Sequence, residues 1–242
     1  MAAGRQTVGV LRDVRVLTVH AFTRRAAPAA AGVLVLAWLS AQILIAQAAK
    51  AAAHADAVPS ELSGAVAAAL VAGGTRVQVG PTTLDFWWVK SVRTGGEASA
   101  GTGGWAKVAE GTLVGAVRLS AAYPEIRGKQ LKPGVYTLRY ALQPENGDHL
   151  GVSTYREFLL VSPAAVDRDL GPTGHDGTVN LSKQSIGASH PASLSLDPPA
   201  SAAPPLSVSR TDEGHTAVVV EVPCEGGAPL RFGLIVLGKI EH

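Results

Sequence analysis

The chain of 242 residues is short of cysteine, aromatics and charge. Its single cysteine, Cys224, can close no internal disulfide, so the core must hold the fold unaided even in an oxidising compartment. It also removes every C-x-x-C pattern, and the setting Pro223-Cys224-Glu225-Gly226-Gly227 reads as a turn with a structural thiol. Charged residues are only 17% of the chain, and the net charge of +2 is local in origin. The first 55 residues hold six Lys/Arg against one acid, Asp13, while the remainder holds fifteen against eighteen, a net charge of −3. A mildly acidic body without a basic stripe excludes nucleic acid as a partner. Catalytic signatures are missing too: there is no P-loop, no G-x-G-x-x-G after a strand, no H-E-x-x-H and no G-x-S-x-G. Asp167-Arg168-Asp169 opens like a calcium loop, but Gly171-Pro172 cannot supply the later ligands, which leaves a solvated acidic loop.

What is present begins with an address. Arg24-Arg25 precede an apolar run, Ala26 to Ala49, followed by the small-x-small patterns Ala46-Gln47-Ala48 and Ala53-His54-Ala55. A basic flank, an apolar centre and a small-residue cleavage site describe an export signal. The paired arginines resemble a twin-arginine signal, although Ala26-Ala27 is a poor continuation. The rival is an uncleaved anchor, since roughly 20 apolar residues span a bilayer. Residues 1–55 are therefore read as an export signal or membrane anchor, and residues 56–242 as one domain. The body is expected outside the cytoplasm, periplasmic or attached to the cell envelope, touching membrane only through an uncleaved anchor.

The body reads as mostly β. Lys132-Pro133-Gly134 is a turn, and Tyr136, Leu138, Tyr140 and Leu142 then alternate with Thr137 and Arg139, the period of a half-buried strand. After a polar crossing from Asn146 to Arg156 the chain returns as Tyr155 to Val161. Thr216 to Val222 and Leu230 to Leu237 form a second hairpin around Cys224. Pro59 to Ala72 predicts a short helix with Ser60 as N-cap, and Thr178 to Ile186 predicts one or two helical turns. Trp105 to Val108 reads as a strand, and the proline-rich stretch 197–205 as a stiff connector. About eight or nine short strands with frequent turns predict an antiparallel β-sandwich.

Candidate sites are few. Phe86-Trp87-Trp88 puts rings on both faces of a strand, either as core plus a covered face or as an aromatic platform for a flat ligand. Asp148 and His149 sit between Gly147 and Gly151 on the crossing, with Tyr155 and Arg156 at the strand entry, a polar loop held by rigid strands. Imidazoles on separate loops, His149 and His190 first among them, could share a transition metal.

Gly111-Thr112-Leu113-Val114-Gly115, the Lys132-Pro133-Gly134-x-Tyr136-x-Leu138 turn and strand, Gly147-Asp148-His149 and Tyr155-Arg156-Glu157-Phe158 resemble an uncharacterised family of exported bacterial β-sandwich proteins, a domain of unknown function. The resemblance covers most of the body after Gly73. It implies a compartment and a fold, and no reaction. Two function classes follow. The first is a non-enzymatic exported binding or structural module of the bacterial cell envelope, without cofactor, recognising a saccharide, an envelope component or a protein. The second is a histidine-dependent metal-binding protein or metalloenzyme.

Overall fold

The computed structural model describes residues 49–95, 99–145, 155–199 and 202–238. All lie in one compact unit, Leu44–His242. Ten strands form a single antiparallel sheet: β1 (Ala49–His54), β2 (Gly74–Val79), β3 (Thr82–Trp88), β4 (Leu113–Leu119), β7 (Gly134–Leu142), β8 (Glu157–Pro163), β9 (Ala192–Asp197), β12 (Leu230–Leu237), β11 (Thr216–Val222) and β10 (Val208–Arg210), in that spatial order. A two-stranded ribbon, β5 (Tyr123–Pro124) with β6 (Gln130–Leu131), completes the set. The sheet curls until β1 and β10 come near one another, so it is nearly closed and barrel-like. Both expected hairpins are present, β7 with β8 and β11 with β12. Residues Ala49–His54, grouped by sequence with the export segment, pair along their full length with β2.

The interior is filled by the inward face of each strand. Tyr136, Leu138, Tyr140 and Leu142 are all buried there, as their alternation requires. Phe86 and Trp88, two residues apart, stack with ring centroids 5.3 Å apart, and Trp88 meets Phe232 of β12 edge-on at 5.8 Å. Trp87 points the other way and is buried as well. Its Nε1 donates to Asp56 O at 3.1 Å, its ring lies against His54, and Arg118, paired with Glu61, covers it. Trp87 is fully buried and Trp88 nearly so, one on each face of the strand.

The helices differ from expectation in ways that local chemistry explains. The first, α1, runs only Gly64–Ala69, because Pro59 to Leu62 close a turn and Ser63 provides the cap, accepting from Val66 N at 3.2 Å. Trp105 stands in a 3₁₀ turn, Gly103–Lys107, stacked on Tyr140. The second helix, α2, is longer than expected, Gly174–Ile186, ending at Gly187 in the left-handed conformation. It packs on the outer face of β7, β8 and β9.

Under the segment that leads into α2 lies the largest departure from the sequence reading. Arg139, expected on a solvent face, is fully buried, and so is Asp167 of the expected acidic loop. Arg139 Nε and Nη2 donate to the two Asp167 oxygens at 2.7 and 2.8 Å. Nη1 donates to Gly111 O and Gly171 O at 2.6 and 2.9 Å, and Nη2 also to Asp169 O at 2.5 Å. All five guanidinium donors are thus met. The outer face of β7 is covered because this pair pins the segment leading into α2 down onto the sheet.

Candidate functional site

That pinning creates a groove. Serines 182 and 185 make the contact face of α2: Ser182 Oγ reaches Val161 O and Ala192 O, both at 2.8 Å, and Ser185 Oγ reaches Val161 O at 2.5 Å. Small hydroxylated residues hold one side of the helix close to β8 and β9. Toward β7 the helix leaves a groove of about 330 Å³ between itself and the sheet. Ala141, Phe158, Leu160 and Val179 form its apolar floor. Four basic side chains line it: Arg127, His175, Lys183 and His190.

Each has a structural origin. His175 stands in the first turn of α2, and its Nδ1 lies 2.7 Å from Glu110 Oε2, which also accepts from Leu142 N at 3.0 Å. Arg127 sits on the loop between β5 and β6 and is organised by the buried Glu125, whose Oε2 accepts from Arg127 Nε at 3.0 Å. It then donates through Nη2 to Pro191 O, tying that loop to the turn carrying His190. Lys183 makes no side-chain hydrogen bond or ion pair among the described residues, and its stem runs beside Val179 one helical turn away. The result is an apolar floor with cationic heads at its margin, suited to a ligand with an apolar body and an anionic end.

The residues singled out in the sequence are dispersed. Asp148 and His149 lie outside the described residues, and with them the metal pairing of His149 and His190. His190 lines the groove together with His175, which had not been singled out as a site residue. Tyr155 lines a different groove beside Asp212 and Glu213. Arg156 is structural: Nε and Nη2 donate to Gln143 O at 3.0 and 2.8 Å and Nη1 pairs with Glu145, tying together the two ends of the crossing. Among the described residues no group of three or more His, Cys, Asp or Glu is placed to share a metal ion, and no helix is long and apolar enough to cross a membrane. Burial first, and then the charge of Glu225, push the Cys224 thiol up, away from a reactive thiolate.

Arg127, Lys183 and Glu110 were not legible as site residues. The one available signal was the run Arg127-Gly128-Lys129 following an acid, a charged tight loop, which does not announce a ligand. No family model, curated protein or solved structure matches this chain.

Proposed function

We propose that the protein is an exported, non-enzymatic binding module of the cell envelope that holds an amphipathic anionic envelope component in the groove between α2 and the sheet. The observation that carries this reading is the combination of an apolar floor with Lys183, a cation without a partner among the described residues, at its edge. Single exposed lysines are ordinary, but a lysine beside an open apolar cavity can attract an anionic head while the cavity takes the chain.

The finer architecture belongs to the same proposal. Contact of Trp88 with Phe232 across the interior supports a flattened closure in which two halves of the sheet face one another, as in a sandwich. Export fits the course of β1. Removal of a signal after Ala48 would begin the mature chain at the first residue of this strand. Cleavage after Ala55 would instead remove His54, whose Nε2 meets Phe86 O at 3.1 Å.

Titration with decyl phosphate, against decyl maltoside as the neutral probe, tests the groove. Saturable binding of the phosphate, weakened about tenfold in Lys183→Glu, is expected, since reversing a charge at the rim adds repulsion to the lost attraction. Equal binding of both probes, or no effect of Lys183→Glu, would refute the reading. The metal-binding alternative retains one support, that His175 and His190 line the same groove. Zinc titration of His175→Ala and His190→Ala proteins decides it, because a real site would be lost in both.

A further inference from the structure

A second cleft, of about 130 Å³, lies where β9 and β12 part. The two strands pair only at Asp197 with Gly233 and Leu196 with Leu234. Beyond Asp197 come Pro198 and Pro199, which have no N–H to extend the ladder, so the start of β12 has no strand partner on that side among the described residues. Arg231, Asp197, Pro199, Thr102, Trp105 and Glu157 are among the residues lining the opening.

Two charged side chains here carry buried polar atoms that no hydrogen bond meets. Arg231 Nε and Nη2 are both shut off from solvent and have no partner, and so is Asp197 Oδ1. Buried polar groups are nearly always paired, and an unpaired charged one is costly. The unmet pair on Arg231 is the side-on edge of the guanidinium, whose two parallel N–H bonds match a carboxylate. The same edge of Arg139 holds Asp167, and that of Arg76 holds Asp85 at 2.6 and 3.0 Å. In β12 Arg231 is two residues from Gly233, the partner of Asp197, so both side chains leave the same face of the sheet. Such diagonal neighbours stand roughly 7–8 Å apart, which leaves room for a small molecule between them. Glu157 does not supply the missing partner: its Oε1 accepts from Thr102 N and Oγ1 at 2.7 and 2.8 Å.

We propose that this cleft is a binding site for a small amino-carboxylate that displaces the cover over these closed atoms as it enters, setting its carboxylate across Arg231 Nε and Nη2 and an N–H or ammonium on Asp197 Oδ1. A free amino acid and the carboxyl-terminal residue of a peptide share this chemistry. Burial first, and then the nearby Glu213, push the Asp197 carboxyl up, and a bound cation would relieve that cost. A monoanionic carboxylate suits the site better than a phosphate, because Glu157 and Asp197 already bring acid to its walls.

Calorimetric titration of the full chain with alanine, alanyl-alanine and alanyl-alaninamide tests the site. Saturable binding of alanine or alanyl-alanine is expected, with the stronger of the two identifying the free amino acid or the peptide end. The amide, lacking the carboxylate, should bind at least about tenfold more weakly, the cost of one lost charge-assisted pair. Arg231→Met should abolish binding, and Arg231→Lys, which keeps the charge without the fork, should weaken it. Because Arg231→Met also removes an unpaired buried charge, its melting temperature without ligand should equal or exceed that of the parent. Absence of saturable binding by all three probes overturns the proposal, as does equal binding of acid and amide, or undiminished binding by folded Arg231→Met or Arg231→Lys protein.

Discussion

Removing the side chain of Arg139 would strand the buried Asp167 carboxylate with, among the described residues, only Thr137 Oγ1, at 2.5 Å, to meet it. An uncompensated buried charge of this kind costs roughly 3–5 kcal/mol. Arg139→Ala should therefore lose as much stability in denaturant unfolding as Leu138→Ala, for which roughly 2–5 kcal/mol is expected from the deleted core volume. A loss below about 1 kcal/mol at Arg139 would mean that water reaches Asp167 and that the pair does not pin the loop. Two buried phenols give the molecule an alkaline limit. Burial, partly offset by the hydrogen bond with Ser99, pushes Tyr140 up to about 12; burial and the nearby Glu125 push Tyr123 further. Below about pH 10 folded and unfolded chains both keep these protons, and the contribution is fully present. Above it the unfolded chain releases them first, so stability should fall as pH rises from about 10 to 12. Tyr140→Phe should flatten that fall, and an unchanged profile would place the sensitivity elsewhere.

At the scale of elements, α2 decides whether there is a groove at all. Its contact face carries Thr178, Ser182 and Ser185 in place of leucines, so it has little of the apolar periodicity that marks a helix in sequence. That is why only its second half was legible, and why the outer face of β7 read as solvent-facing. An alternating strand reports which residues share a face and says nothing of what covers it, so Tyr136 and Leu138 were readable as core while Arg139 was misplaced. The hairpins were legible because turn chemistry and alternation agreed there. The candidate site was mostly illegible, since its residues come from five separate segments brought together by the Arg139–Asp167 and Arg127–Pro191 ties. Ser182→Leu should overpack the contact, costing about 1–3 kcal/mol, and should abolish decyl phosphate binding together with the docking of α2. Retained binding with the same loss of stability would place the ligand elsewhere.

Over the whole molecule, near-closure of the sheet depends on β1. A strand built largely of alanine, with Lys50 on it, is a weak edge by itself, yet it covers the β2 hydrogen-bonding edge and brings Ala49 and Ala51 against the core. A chain beginning at Asp56 should expose β2 and associate at concentrations where a chain beginning at Ala49 stays monomeric, which sedimentation can read. Native mass spectrometry of the protein recovered from a bacterial envelope would read the mature terminus and any molecule held in the groove together. A polypeptide starting at Ala49 that carries an amphipathic anionic molecule is expected, with Lys183→Glu protein recovered without it. An equally loaded Lys183→Glu protein, or wild-type protein that carries nothing and does not bind decyl phosphate, would contradict the claim.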